Sequence, residues 1–409
     1  MTATKSGLGL RFLRSLTFQI LVALVLGALL GWLWPGLGQK LEILAVIFIR
    51  LVLVIIAPLV FSTLVVGIAG SGELKKLGPM ALEAIVYFLV ITAVAMGLGF
   101  ALGNLLQPGQ GLAPPTAIAP PPPAPPEESF WVRLFPQNIV DAMIRGDVLQ
   151  IVVFSLLFAV ALAAVGERGQ PVLTFCRALA EVMYRFTDLV MKLAPLGVLG
   201  ASAALVAKQG LRIGENFFWL TVAVYAGLGL VFFGLYPLLC WWFRIPLRGF
   251  FRAIREPFAI AFATTSSAAA LPKAMEAMEG FGVPRRVVAF VLPTGYSFNL
   301  AGGALFIGVA ALFIAQAFHL PLAPYDLLAL FGTLYVASKG IATIPRGSLI
   351  AFAAGLASYG VPTEVVAASF GLLLAIDPIL DMPRTGVNVT GNCLAAALVA
   401  RWQGSFGKQ

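Results

Sequence analysis

Charged residues are scarce in this chain of 409 residues: they make up 11% of it, whereas soluble proteins carry about 25%. Hydrophobic residues make up 60%, so an ordinary soluble domain is excluded and a polytopic, all-α membrane protein is predicted. The single histidine, His319, supplies no metal centre, and the three cysteines lie in or beside apolar segments and indicate no disulfide framework. These few residues also lack the nucleophile–base or metal pair of a membrane enzyme, so we predict neither an enzyme nor a cofactor.

The basic residues account for a formal charge of +9, which in a soluble protein would suggest a nucleic-acid partner. Here they lie between apolar runs, so the preference of positive residues for the cytoplasmic side explains them better, and no nucleic acid is predicted. Lys5, Arg11 and Arg14 precede the first apolar run, and Arg401 follows the last. We therefore predict a multi-pass protein of the cell (inner) membrane with both termini in the cytoplasm.

Eight apolar stretches approach or exceed the roughly 20 residues that cross a bilayer as a helix. They are residues 16–34, 41–70, 81–106, 147–165, 189–207, 217–243, 286–318 and 361–400. The proline-rich residues 108–130 cannot form a helix and are predicted to be an extracytoplasmic loop. The stretch 189–207 is expected to be broken near its middle, where Pro195 stands.

Two further apolar segments are interrupted by polar or flexible residues. Residues 257–271 are too short to cross and have hydroxyl residues at 264–267, and residues 327–356 are broken around 338–348. We predict that each enters the membrane and returns as a re-entrant helical hairpin. The seventh span is also interrupted, by proline, asparagine and glycines between 293 and 303. Paired interruptions of this kind are typical of the binding sites of secondary transporters.

The last apolar stretch carries five polar residues that recur every three or four positions. They are Asp377, Asp381, Arg384, Asn388 and Asn392. On a helix this spacing places all five on one face. A charge at the centre of a bilayer costs about 2.5–3.5 kcal/mol or more, so the row needs a reason. A buried ion pair that locks the helix to its neighbours is one interpretation, and a binding site for a polar ligand is the one we favour.

Four motifs in this order make the chain resemble the dicarboxylate/amino acid:cation symporter family, the glutamate transporter homologues. They are Ser266-Ser267-Ala-Ala-Ala-Leu-Pro, Leu292-Pro-Thr-Gly-Tyr-Ser-Phe-Asn299-Leu-Ala301-Gly-Gly, Ile344-Pro345-Arg346-Gly347, and the row from Asp377 to Asn392. The resemblance covers essentially the whole chain, is strongest from Thr264 to Arg401, and is closest to the proton-coupled bacterial glutamate/aspartate branch. It implies eight transmembrane helices plus two re-entrant hairpins and the elevator fold of that family.

The resemblance further implies a homotrimer in the lipid bilayer and a division of each protomer. Residues 1–77 (spans 1–2) and 131–210 (spans 4–5) would form a static scaffold. Residues 78–107 (span 3) and 211–402 (span 6, hairpin 1, span 7, hairpin 2 and span 8) would form a transport domain that slides across the membrane, and residues 403–409 would be a tail. The substrate would lie between the hairpin tips, with the second hairpin as its gate.

The substrate roles combine this resemblance with side-chain chemistry. Arg384 presents a planar fork of donors suited to the side-chain carboxylate of an acidic amino acid. Asp381 matches the family residue that takes the α-ammonium group, so an amino acid such as L-glutamate or L-aspartate is favoured over a plain dicarboxylate. The rest of the predicted enclosure is Asn388, Thr385, Asp377, Thr265, Ser266, Ser267, Ile344, Pro345 and Gly347. The alternative for Ser266, Ser267 and Thr385 is that they satisfy helix ends.

The chain departs from the family at the positions that bind sodium. Where sodium-coupled members have an aspartate in the seventh-span motif, this chain has Ala301, and where they have a second aspartate it has Asn392. Of the other positions that bind sodium in the family, Asn299 and Thr92 remain. Sodium prefers several oxygen ligands with negative charge nearby. Together, the side chains of Asp377, Asp381 and Arg384 carry a net charge of −1. Fewer cations therefore need to accompany the substrate than if the two missing aspartates of the family were present. No metal is predicted, and the coupling ion is predicted to be a proton.

Because burial favours the neutral form of a carboxyl group, Asp381 and Asp377 are the first candidates for the proton carrier, ahead of Glu83 and Glu364. Lys339 and Arg346 are further departures from the family. Both are expected to face water, and the alternative is that Arg346 reaches into the site and replaces the charge of a cation.

The alternative function is a sodium-coupled symporter, or an exchange-only carrier of amino acids or C4-dicarboxylates on the same fold. A passive channel is disfavoured, because hairpins that enclose a ligand indicate a carrier.

Overall fold

The computed structural model describes residues 16–69, 74–112, 132, 135–145, 147–320, 322–339, 347–359, 361 and 363–407. Within these ranges all regular secondary structure is helical and no β-strand is present. The first nine helices are α1 (Leu16–Leu33), α2 (Pro35–Lys40), α3 (Glu42–Ala69), α4 (Leu74–Leu106), α5 (Ile139–Arg145), α6 (Val148–Val165), α7 (Gln170–Met191), α8 (Ala194–Gln209) and α9 (Ile213–Gly229). The remaining nine are α10 (Tyr236–Trp242), α11 (Leu247–Ala253), α12 (Arg255–Thr264), α13 (Ser267–Gly280), α14 (Arg285–Phe298), α15 (Ala301–Ala317), α16 (Pro324–Ala337), α17 (Gly347–Tyr359) and α18 (Thr363–Trp402).

Five stretches of the described chain are long and apolar enough, by length and composition, to cross a membrane. They are Pro35–Ala69, Gly78–Leu106, Gln150–Met191, Ile213–Trp242 and Arg285–Ala317. Shorter apolar helices lie at Phe18–Leu33, Pro324–Ala337 and Gly347–Tyr359. A multi-pass membrane protein is therefore supported. The predicted number of eight transmembrane helices stays a prediction.

The predicted break inside the fifth span is wrong. Helix α7 runs to Met191 and α8 begins at Ala194, so the interruption lies at the start of the stretch 189–207 and not near its middle. Pro195 stands in the first turn of α8. Proline is tolerated there because the amide it lacks has no intrahelical partner in any case. The proline therefore begins a helix in place of breaking one.

Helices α12 and α13 pack against each other as a helical hairpin, at the position predicted for the first of the two. The turn consists of Thr265, which has a left-handed backbone with φ of 51°, and Ser266, which caps α13. With 10 and 14 residues, these helices are about 15 and 21 Å long, shorter than the roughly 30 Å hydrocarbon core of a bilayer. That the hairpin is re-entrant stays a prediction.

The seventh span is interrupted as predicted. Helix α14 continues through Pro293 and ends at Phe298, and α15 begins at Ala301, which leaves Asn299 and Leu300 outside both helices. We call this interruption, together with the flanking Phe298 and the first turn of α15, the α14–α15 break. Helix α15 is buried along almost its whole length and packs against α4 and α18, so the break lies deep in the molecule.

Helix α18 is continuous for 40 residues, through Pro378 and Pro383. Pro383 has no amide hydrogen for the carbonyl of Ile379, four residues earlier. The hydroxyl of Tyr225 donates to that carbonyl at 2.9 Å, so a neighbouring helix supplies the missing hydrogen bond. Helices α12, α13, α14, α15 and α17 all pack against α18. The polar row of α18 therefore faces a protein interior.

The other helices pack largely among themselves. Helix α1 packs against α8, and α3 packs against α6, α7 and α8. These helices fall within the predicted scaffold, while α4, α9 and α12–α18 fall within the predicted transport domain. The division itself, and its movement, stay predictions.

Candidate functional site

The side chain of Arg384 lies between the two aspartates of the polar row. Its Nη2 donates to Asp377 Oδ1 at 2.9 Å and to Asp381 Oδ1 at 2.6 Å, and its Nε donates to Asp381 Oδ1 at 3.1 Å. Arg384 is 1% exposed, Asp377 0% and Asp381 7%. We call these three residues the arginine cluster. Their ionised forms leave a net charge of −1 inside the protein.

The guanidinium of Arg384 also stacks on an aromatic ring and keeps one donor unused. Its central carbon lies 4.4 Å from the centroid of Phe306, an aromatic residue of α15. Its Nη1 atom is buried and makes no hydrogen bond to the part of the chain that the structure describes. A buried donor without a partner costs about 1–3 kcal/mol, so few native proteins tolerate one without a reason. A ligand carboxylate at Nη1 would remove this cost.

Thr385 extends the arginine cluster, and Asn388 ties it to the α14–α15 break. The Thr385 hydroxyl lies 3.4 Å from Asp381 Oδ1. The Oδ1 atom of Asn388 accepts from the amides of Gly302 at 2.8 Å and of Gly303 at 3.3 Å. These amides belong to the first turn of α15, where no intrahelical acceptor exists, so Asn388 caps that helix from outside.

Gly302 is required where α15 meets α18. A Cβ atom added there would lie 2.5 Å from the Arg384 carbonyl oxygen and 3.2 Å from Asn388 Oδ1. Such contacts are closer than van der Waals packing allows, so a side chain at this position would push α15 away from α18. Glycine therefore permits the approach that brings the capping amides to Asn388.

The predicted degenerate sodium positions divide into two groups. Asn299 and Asn392 meet in the α14–α15 break, where Asn299 Nδ2 donates to Asn392 Oδ1 at 3.0 Å and both residues are fully buried. Ala301 is also fully buried, but it offers only a methyl group. The hydroxyl of Thr92 donates to the Phe88 carbonyl of its own helix at 2.6 Å.

Unused polar atoms remain around the Asn299–Asn392 pair. Three polar atoms are buried and make no hydrogen bond to any described residue: Asn299 Oδ1, Asn392 Nδ2 and the Tyr296 hydroxyl. Among the residues that the structure describes, no group of three or more His, Cys, Asp or Glu side chains could hold a metal ion. The Asn299–Asn392 pair therefore offers neutral amides and no carboxylate.

The hydroxyl residues of the first hairpin serve its local geometry. Ser266 Oγ accepts from the Ala269 amide at 3.3 Å as the cap of α13, and the Ser266 amide donates to Thr264 Oγ1 at 3.3 Å. Thr265 Oγ1 donates to the Thr264 carbonyl at 2.7 Å. Ser267 is buried at the first position of α13. The helix-end interpretation thus describes Ser266, and the role of this turn in substrate binding stays a prediction.

The second hairpin is described only on either side of its predicted tip. Ile344, Pro345 and Arg346 lie outside the described residues, while Gly347 is the buried first residue of α17. Helices α16 and α17 pack against each other. The side chain of Glu364 also lies outside the described residues.

Glu83 is not brought to the arginine cluster. Both of its carboxylate oxygens accept from Gln403, at 2.7 and 2.8 Å. Gln403 follows the end of α18 at Trp402, 18 residues beyond Arg384, which on a helix is about 27 Å. Glu83 therefore lies away from the arginine cluster, and its role as a proton carrier stays a prediction.

The expectation that Lys339 faces water is wrong. Its side chain is buried, with 9% of the residue exposed. Its Nζ donates to the carbonyl of Phe298 at 3.2 Å and lies 4.7 Å from the centroid of the Tyr335 ring. The sequence contains one indication that Lys339 is buried, because this residue interrupts an apolar segment. Nothing in the sequence identified its hydrogen-bond partner.

Comparisons with known proteins show what the chain is similar to. The profile of the sodium:dicarboxylate symporter family matches residues 16–402. The chain is 38% identical over 399 residues to a proton/glutamate-aspartate symporter of Bacillus subtilis, covering 96% of this chain and 95% of the relative. It is 37% identical over 408 residues to a proton/sodium-glutamate symport protein of Geobacillus stearothermophilus, covering 96% of each. It is 39% identical over 405 residues to a C4-dicarboxylate transport protein of Anaeromyxobacter sp. (strain K), covering 97% of this chain and 91% of the relative.

These relatives are transporters and not enzymes, as the sequence predicted for this chain. The match extends over nearly the whole length and includes both the arginine cluster and the α14–α15 break. The chain belongs to the sodium:dicarboxylate symporter family.

Proposed function

We propose that the protein imports acidic amino acids, L-glutamate and L-aspartate, by proton symport. The observation that carries this proposal is the buried Arg384, held by Asp377 and Asp381 with its Nη1 donor unused. A guanidinium with an unused buried donor is suited to a ligand carboxylate. Because the two aspartates make the net charge of the site negative, an anion is not attracted by charge alone.

The position of Asp381 favours an amino acid over a plain dicarboxylate. Its carboxylate lies one helical turn from Arg384 and is 7% exposed, so it can meet a ligand that reaches the guanidinium. An α-ammonium group would gain a charge-assisted hydrogen bond from it, whereas a second carboxylate would be repelled. The relatives include both glutamate and C4-dicarboxylate transporters at similar identity, so the choice rests on this carboxylate.

Charge favours a proton as the coupling ion. The arginine cluster carries a net charge of −1, and a bound glutamate would add another negative charge to a site enclosed by protein. Protonation of Asp377 or Asp381 would relieve this charge. The Asn299–Asn392 pair and Ala301 offer a sodium ion no carboxylate at the positions where sodium-coupled members have one.

The mechanism we propose is an elevator in a homotrimer within the inner membrane, with both termini in the cytoplasm. The helical hairpin α12–α13, the packing of α16 on α17 and the α14–α15 break support it, because secondary transporters build their sites from such interrupted helices. The hairpins would be re-entrant, and the second would act as the gate. Residues 78–107 and 211–402 would move against the scaffold of residues 1–77 and 131–210.

Uptake into proteoliposomes tests the proposal. Purified protein is reconstituted, and entry of radiolabelled L-glutamate is measured with an inward proton gradient without sodium, with an inward sodium gradient at equal pH, and with neither. We expect accumulation with the proton gradient alone, and competition by L-aspartate but not by L-glutamine. Accumulation that only the sodium gradient drives would establish the sodium-coupled alternative, and counterflow without net accumulation would establish an exchange-only carrier.

A further inference from the structure

The carbonyl end of α14 is a site of negative potential inside the protein. The last four carbonyls of a helix have no intrahelical partner, and the helix dipole places about half a negative charge at that end. Helix α14 ends at Phe298, next to the α14–α15 break. In secondary transporters, carbonyl ends of this kind coordinate the coupling cation.

Lys339 brings an amino group, which carries a positive charge when it is protonated, to this end from the second hairpin. It lies two residues beyond α16, and its Nζ donates to the Phe298 carbonyl at 3.2 Å. Among the described residues, no carboxylate forms an ion pair with Lys339; the carbonyl and the face of the Tyr335 ring are its partners. An ammonium group so placed is stabilised by the helix end and by cation–π attraction, and not by a salt bridge.

An ammonium group resembles a monovalent metal cation in charge and in its preference for carbonyl oxygens. It differs in that it is covalently attached, so it does not need to be drawn from solution. The neighbouring Asn299–Asn392 pair contributes amides, and Ala301 contributes a methyl group, so nothing there favours a second cation.

We propose that Lys339 is a built-in cation, which occupies the carbonyl end of α14 in place of a bound metal cation and makes substrate binding independent of sodium. The contact also joins the second hairpin to the α14–α15 break, 41 residues earlier in the chain. The break is in turn held to α18 through Asn388 and Asn392. Loss of the charge at Lys339 would therefore weaken the arrangement of the arginine cluster, which the proposed function assigns to the substrate.

The test compares Lys339→Met, which removes the charge and keeps the apolar stem, with Lys339→Arg, which keeps the charge. Binding of L-glutamate to the purified full chain is measured by calorimetry in sodium chloride and in choline chloride. We expect equal affinity in both salts for the wild type and for Lys339→Arg. Lys339→Met should bind about tenfold more weakly in choline chloride and recover in sodium chloride, a difference within the range of coupling between two sites.

The matched control is Lys273→Met, because Lys273 is an exposed lysine of the first hairpin that pairs with Glu276. It should behave as the wild type in both salts. Lys339→Gln, which is neutral but polar, replaces Lys339→Met if the latter is not monodisperse on size-exclusion chromatography. A neutral variant that binds glutamate equally in both salts and as tightly as the wild type overturns the proposal, as does an arginine variant with the same sodium requirement as the neutral one.

This inference rests on the proposed proton-coupled function, and the two can fail separately. If the wild type itself requires sodium for glutamate binding, the proposed function fails. If the wild type is independent of sodium and the neutral variants are equally so, only the role of Lys339 fails.

Discussion

Replacement of Arg384 by methionine should abolish the recognition of acidic substrates. The variant loses the unused Nη1 donor, and a hydrogen bond from a charged group contributes about 1.5–3 kcal/mol. It also changes the net charge of the arginine cluster from −1 to −2. At 4 Å and an effective dielectric constant of 20, each unit charge changes the energy of a bound carboxylate by about 4 kcal/mol. Together these effects amount to about 5.5–7 kcal/mol, which predicts a loss of glutamate affinity of about 10,000-fold or more.

The assay is calorimetric titration of the purified protein with L-glutamate, supported by thermal unfolding. Removal of the guanidinium leaves two buried carboxylates without their cation, which costs about 3–5 kcal/mol of stability. The double variant with Asp377→Asn restores a net charge of −1. It should recover stability and the electrostatic part of the affinity, but it should remain about 10- to 100-fold weaker than the wild type because the hydrogen bond from Nη1 is lost. Arg401→Met is the matched control, because Arg401 is an exposed arginine at the end of α18 that contacts the carbonyls of Phe243 and Arg244 and the ring of Phe406. Undiminished glutamate affinity in Arg384→Met would show that the arginine cluster is structural and not the binding site.

Three further substitutions test separate parts of the site. Asp381→Asn should weaken the binding of L-glutamate by about 10- to 100-fold relative to that of succinate, measured by competition for uptake, because the amide no longer attracts the α-ammonium group. Gly302→Ala should destabilise the protein by about 1–3 kcal/mol in thermal unfolding, because its Cβ would lie 2.5 Å from the Arg384 carbonyl. Ser266→Ala should cost about 0.5–2 kcal/mol and speed hydrogen exchange in the first turn of α13, because it removes the cap on the Ala269 amide.

Each of these variants has an outcome that contradicts its reasoning. Equal weakening of glutamate and succinate by Asp381→Asn would mean that the carboxylate only orients Arg384. Gly229→Ala is the control for Gly302→Ala, because an added Cβ at Gly229 meets no atom within 4 Å. Equal unfolding temperatures for the two would show that α15 can shift without penalty. Unchanged hydrogen exchange in Ser266→Ala would show that this serine does not stabilise α13 as its cap.

The parts of the site that follow from local chemistry could be predicted from the sequence. The spacing of Asp377, Asp381 and Arg384 places them on one helical face whatever surrounds them, and the structure brings all three together. The α14–α15 break was predictable because proline, asparagine and glycine interrupt an apolar run. Both features depend on residues close together in the chain.

Features that depend on packing could not be predicted. The partner of Lys339 is a carbonyl 41 residues away, and a lysine near a glycine has equal claim to a solvated turn when only the sequence is considered. Pro195 was expected to break a helix because it lies inside an apolar run. Its actual place in the first turn of α8 depends on where α7 ends, which the sequence did not indicate. The sequence predicted that α18 continues through Pro383, but it did not identify the donor to the Ile379 carbonyl, which is Tyr225, 154 residues earlier.

In the proposed transport reaction, a glutamate molecule enters together with protons and without sodium. This reaction is tested most directly by a pH-sensitive dye inside proteoliposomes that contain the purified protein in sodium-free buffer. Addition of L-glutamate outside should acidify the lumen, addition of L-glutamine should not, and Arg384→Met should abolish the response. Glutamate uptake without acidification, or acidification that appears only when sodium is added, would contradict the account.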